Sequence, residues 1–140
     1  MVLIPTTRKA TLKDVNSISK LFNNYRIKQS NKSNLKSTLD FLSNRLYLND
    51  SEIFIAMENH IITGMIQLLP SFDTKELKRI WILSDIIGDD LTQDVLMTEA
   101  MSLCKRTEAM GVMTLNQEVG IQLERAGFRK HTDHMYIINQ

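Results

Sequence analysis

The chain has 140 residues, 43% of them hydrophobic and 24% charged, with a formal net charge of +1. That is enough chain for one domain with a single core, and so balanced a charge gives no electrostatic case for nucleic acid or an anionic membrane. A lone cysteine, Cys104, excludes an intramolecular disulfide and a cysteine-based zinc cluster.

A reducing, cytoplasmic setting fits that cysteine usage. The opening MVLIPTTRKAT is too short and too polar for a signal peptide, and no apolar run reaches the length of a membrane span. Eight methionines read as flexible core filling.

Residues 3–10 read as a short strand. Thr11 and Asp14 then form a capping-box pattern, with Asp in place of the usual Glu. Val15, Ile18, Leu21, Phe22 and Tyr25 recur at helical spacing. The Asn/Ser/Lys-rich segment 29–34 breaks that helix, and Lys28, Lys32 and Lys36 read as a solvated face. A second helix carries Leu35, Leu39, Leu42 and Leu46 and ends near Asn49.

The period then changes. EIFIAM (52–57) and IITGMIQLL (61–69) read as a hairpin around Glu58, Asn59 and His60. Residues 70–74 read as a turn, and 77–87 as an apolar strand central in a sheet. Gly88-Asp89-Asp90 makes a very short turn into a long helix, 91–110, which Gly111 ends as a C′ residue. A strand (112–116), a short helix (118–126), a turn at Gly127 and a terminal strand (134–138) follow. The order is β-α-α-β-β-β-α-β-α-β, a mixed α/β sheet flanked by helices in one domain, residues 1–140.

Several residues carry candidate chemistry. Asp85 ends the central strand, where burial can raise a carboxylate toward the range of a general base; the alternative is a turn cap or a lysine pair. Cys104 falls on an apolar helix stripe and reads as a structural thiol. His60, His131 and His134 lack the spacing of a metal site. Trp81 reads as core, while the direction of Tyr136 depends on strand register.

Together these segments resemble the GNAT-type N-acetyltransferases. TRKATLKDVNSISKLFNNYR is similar to that family's first strand and helix, and EIFIAMENHIITGMIQLLPSF to its second and third strands. KRIWILSD is similar to its central fourth strand, and LERAGFRK to its LYExxGF turn. The resemblance implies a mostly antiparallel GNAT-like sheet. It also implies acetyl-CoA as cosubstrate and a small-molecule or peptide amine as acceptor, with a homodimer as one open oligomeric form. If the chain is such an enzyme, Asp85 is the first choice for the group that accepts the amine's proton or orients the amine. A strand bulge just after Asp85 would let the main chain of Ile86 and Ile87 pair with the pantetheine arm, and Gly88, Thr92 and Gln93 would face the pyrophosphate. The segment from Lys28 to Asn34 would border the acceptor.

Two departures accompany the resemblance. The family's R/Q-x-x-G-x-G/A loop is degenerate: it is shorter here, Leu91 and Gln93 stand at the glycine positions, and Asp89 and Asp90 would repel a diphosphate. Leu123 stands where the family often has a tyrosine that protonates the CoA thiolate, and Asn116 lies near the family's cofactor asparagine. The resemblance therefore implies an acetyltransferase of weak or unconventional activity. The alternative is a non-catalytic module that binds a protein or small ligand in the same cleft. A V-shaped gap beside the central strand favours the first, and an exposed apolar patch beside the short loops the second.

Overall fold

The computed structural model describes residues 4–29 and 31–138, so the expected strand start at Leu3 lies outside the described residues. Among the described residues seven strands form one sheet, in the order β1-β2-β3-β4-β5-β7-β6. They are β1 (Thr6–Lys9), β2 (Glu52–Glu58), β3 (Ile61–Asp73), β4 (Lys78–Ile87), β5 (Gly111–Met113), β6 (Arg129–Lys130) and β7 (Met135–Ile137). The helices are α1 (Val15–Lys28), α2 (Leu35–Leu48), α3 (Asp90–Arg106) and α4 (Gln117–Arg125). Among the described residues only β4 and β5 pair in parallel, joined through α3, and the other pairings are antiparallel. The mixed, mostly antiparallel α/β sheet matches the expected fold class.

Both faces of the sheet are covered, which is why EIFIAM reads as a continuous apolar run. Phe54 and Ala56 join Ile66, Leu68 and Trp81 in a core with Leu96, Leu103 and Leu123 from α3 and α4. Ile53 and Ile55 face the other way, onto Ile18 and Phe22 of α1 and Leu42 of α2. Each fully buried side chain of this kind contributes about 1.5–3 kcal/mol. Met65, Met97 and Met135 are buried, as core filling requires. The β2–β3 turn places both Asn59 (φ 49°) and His60 (φ 66°) in the left-handed region, as a two-residue type I′ turn demands.

Two expected boundaries are corrected, and one strand is added. Residues 70–74 are not a turn, because β3 runs through Pro70 to Asp73. β2 begins opposite Leu68, so beyond it β3 is an edge where proline's missing N–H is tolerated. The turn follows Asp73, whose Oδ1 accepts from the N–H groups of Lys75 and Glu76, both at 3.0 Å. α3 ends at Arg106, not near Gly111. Glu108 takes the left-handed position (φ 53°), and the Ala109 N–H donates to the Cys104 carbonyl at 2.9 Å, closing a Schellman turn without glycine. β6 is a short additional strand beside β7.

Asp14 ties the start of α1 to the sheet. Arg8 Nη1 and Nη2 donate to its two oxygens, each at 2.8 Å, and the Thr11 N–H donates to Oδ2 at 2.8 Å. The Arg8 fork is the main reason the carboxyl lies low, at about 2. Because the folded pKa is depressed, this stability is present above the unfolded value and is lost as pH falls through about 2. Asp14→Asn should cost about 1–2 kcal/mol at pH 7, discounted for the exposed arginine. The penalty should fade in acid-unfolding curves below about pH 4. An equal penalty at pH 3 and pH 7 would rule the ion pair out as its source.

Candidate active site at the splayed strands

β4 and β5 pair only from Ile80 to Ile82, opposite Gly111 to Met113, and then part. Beyond that point β5 offers the main chain of β4 no partner. The gap between the strands is a cavity of about 220 Å³, bordered by Leu83, Asp85 and Ile86 of β4, Thr114 after β5, and Val119 and Gln122 of α4. Tyr25 of α1 closes one side. This is a V-shaped gap beside the central strand, the feature that would favour the enzyme over the binding module.

A bulge aims the end of β4. Gln67 pairs with Asp85 and Leu68 with Leu83, which leaves Ser84 as the extra residue. The bulge therefore lies just before Asp85, not just after it as expected, because the register slips at Ser84. The Ser84 hydroxyl donates to the Gln67 carbonyl at 3.3 Å. Asp85 is half-buried, and desolvation raises its pKa above the usual carboxylate range, partly offset by the Ser84 hydroxyl. Asp85 and Ser84 also line a second cleft of about 480 Å³ on the side of α1 and α2. Asp85 thus stands between two openings.

The other expected site residues divide. Ile86 and Gln93 border the splay cavity. Ile87 and Gly88 border an adjoining cleft of about 500 Å³ with Lys28 and Asp89. Gly88 has φ 140°, and a Cβ there would sit 2.5 Å from Thr92 Cγ2, so the turn requires glycine. Thr92 is buried and borders none of these openings; its N–H already donates to Asp89 Oδ1 at 2.8 Å. That bond, with help from the Thr92 hydroxyl, holds the Asp89 carboxyl below its ordinary value. Asp89 is therefore the N-cap of α3, a carboxylate where the resemblance puts a phosphate. Gln93 Nε2 donates to the Gly88 carbonyl at 2.7 Å, and its Oε1 accepts from Gln122, linking the starts of α3 and α4.

Other candidates resolve. Tyr136 is buried with its ring against Gly120 of α4 and does not border the splay cavity. Leu123 is wholly buried in the core. Burial pushes the Cys104 thiol up to about 12, which fits an inert structural residue. Trp81 Nε1 donates to Thr107 Oγ1 at 3.0 Å from within the core. Asn116 caps α4, accepting from the Glu118 N–H at 2.9 Å. Lys28 borders the cleft beside Gly88, and Lys32 and Lys36 are exposed. Among the described residues no group of His, Cys, Asp and Glu could hold a metal, and no helix is long and apolar enough to cross a membrane.

Tyr25 is the cavity residue that the sequence does not single out, where it is one more apolar position on α1. Its phenol pKa is raised by burial and then by the neighbouring Asp85 charge, so it stays protonated. The signal was its place at the polar end of the stripe, where a tyrosine can pack its ring and keep its hydroxyl wet.

No family model matches the chain. It is 30% identical over 128 residues to a probable acetyltransferase of Haemophilus influenzae, a match covering 86% of this chain and 88% of that protein. The chain belongs to the GNAT acetyltransferase superfamily. It is also 40% identical over 79 residues to the uncharacterized N-acetyltransferase YhfO of Bacillus subtilis. That match spans 56% of this chain and about half, 53%, of the length of YhfO. The crystal structure of a probable acetyltransferase superposes with a TM-score of 0.81 at 29% identity, covering 91% of this chain and 92% of the other.

Proposed function

We propose that the protein transfers an acetyl group from acetyl-CoA to a primary amine. The observation that carries this reading is the position of Asp85 between the splay cavity and the cleft beside α1 and α2. In this reading the thioester arm lies along the side of Ile86 and Ile87 that faces away from β3, where β5 has parted, as an added strand. Lys28 supplies the cation that the Gly88-Asp89-Asp90 turn lacks.

The amine enters from the other side. Its nitrogen attacks the thioester carbonyl, forming the C–N bond as the C–S bond breaks. Asp85 takes the proton that the nitrogen sheds. The Tyr25 hydroxyl gives a proton to the departing thiolate and is restored from solvent. Tyr25→Phe should lower kcat about 10- to 100-fold while leaving the KM for acetyl-CoA nearly unchanged. An unaltered kcat would assign that proton to water.

A second reading has its own support. Asp89 fills the helix N-terminus with the chain's own carboxylate, and Leu91, Leu115 and Ile121 are exposed on or beside α3 and α4. These features suit a non-catalytic GNAT-fold module. Calorimetric titration with acetyl-CoA, and with CoA alongside, separates the two. Saturable micromolar binding supports the enzyme; no binding up to millimolar acetyl-CoA leaves the binding module.

A further inference from the structure

The cleft on the far side of Asp85 has a specific lining. Phe22 and Phe41 supply apolar walls, Gln67 borders it, and Arg26 and Arg45 bring two guanidinium groups. Charge matching across this lining is incomplete. Arg45 Nε lies 3.0 Å from Asp50 Oδ1, and the guanidinium stacks over Phe41 at 5.0 Å. Arg26 Nη1 donates only to the Lys32 carbonyl, at 3.4 Å, and has no carboxylate partner among the described residues. Neither arginine forms an ion pair with Asp85, although all three border the same space. The cleft therefore holds one carboxylate and one guanidinium that have no ion-pair partner among the described residues, with the apolar walls of Phe22 and Phe41 beside them.

We infer that the acceptor is an amino-acid-like zwitterion: a primary amine on an apolar body that also carries one carboxylate. The inference rests on the acetyltransferase reading and names the substrate class for the same site. The ammonium first loses one proton to solvent, and the free amine that results meets Asp85, which takes the second proton as the amide forms. The carboxylate meets Arg26, whose planar fork suits it better than a point charge would. The side chain packs on Phe22 and Phe41. An acceptor without the carboxylate forgoes that charge-assisted hydrogen bond to Arg26.

The test measures CoA release from acetyl-CoA by the purified protein. Acceptors are L-leucine, L-methionine and L-phenylalanine, each beside its primary amide. The free acids should exceed their amides in kcat/KM by about tenfold or more. Arg26→Ala should bring that ratio toward one, mainly through a raised KM for the acids, and Arg26→Lys should restore part of it. Arg45→Lys serves as the second variant, because Arg45 also holds Asp50. Amides that match or exceed the acids would overturn the inference, as would an Arg26→Ala protein that keeps the ratio. If no acceptor turns over, calorimetric titration of the acids into the CoA-saturated protein decides, and absence of saturable binding overturns the inference. Failure of acetyl-CoA itself to bind is a different result and sinks the underlying reading.

Discussion

Asp85→Asn should lower kcat/KM by a factor of about 10²–10⁴ while leaving the fold intact or slightly firmer. The two effects have one cause. Burial at the end of β4 raises the Asp85 pKa, so the charged form is disfavoured by folding. A raised folded-state value means that this residue's stabilising contribution is present at low pH and is lost as pH rises through it. Asparagine removes that liability together with the base. Activity has the opposite pH sign, because Asp85 must be deprotonated to accept a proton. The acidic limb of kcat/KM should therefore lie above the ordinary carboxylate range and vanish in the variant. A variant with lost activity and a lowered Tm would point to a structural role. A variant with near-normal activity would free Asp85 of the proton transfer.

The sheet and the order of its elements were legible because each depends on local pattern. Period-two and continuous apolar runs marked β2, β3 and β4, and the stripe from Val15 to Tyr25 marked α1. Where the reading failed, a local rule was overridden by what lay beside it in space. Pro70 looks like a turn residue until β3 is seen to outrun β2. Glu108 is a poor left-handed residue in isolation, yet the hydrogen bonds closing α3 hold it there. The slip that makes Ser84 a bulge depends on the register of β3, which nothing within KRIWILSD reveals.

The site was legible in part for the same reason. Asp85, Ile86 and Gln93 lie consecutively around one strand–helix junction, so their chain order places them together. Tyr25, Arg26 and Arg45 come from other helices, and only the packing of α1 and α2 on the sheet brings them to Asp85. Thr92 was expected to face the pyrophosphate, but its side chain is buried against Gly64 and Gly88 and Asp89 takes its N–H. That acidic cap is the feature of the loop whose consequence reaches furthest, because in the proposed reading Lys28 and main chain would have to meet the phosphate instead.

Gly64→Ala should destabilise the protein by about 2–4 kcal/mol, roughly a 10 °C fall in Tm, and weaken acetyl-CoA binding with it. Gly64 lies on β3 under the junction of β4 and α3. A Cβ there would come within 2.5 Å of both the Ile87 carbonyl oxygen and Thr92 Cγ2. The first contact is main chain and cannot swing aside. The end of β4 must then lift from β3, carrying Ile87 and Gly88, which border the cleft proposed for the cosubstrate. Thr92→Ser removes the second contact, so the double variant should recover part of the lost stability. Its cosubstrate affinity should remain low, because the Ile87 carbonyl is still displaced. This nonadditivity is what two groups sharing one space produce. A Gly64→Ala protein as stable as the parent would show that α3 has room to move away from the sheet. The geometry of the β4–α3 turn would then be set by Gly88 and Asp89 alone.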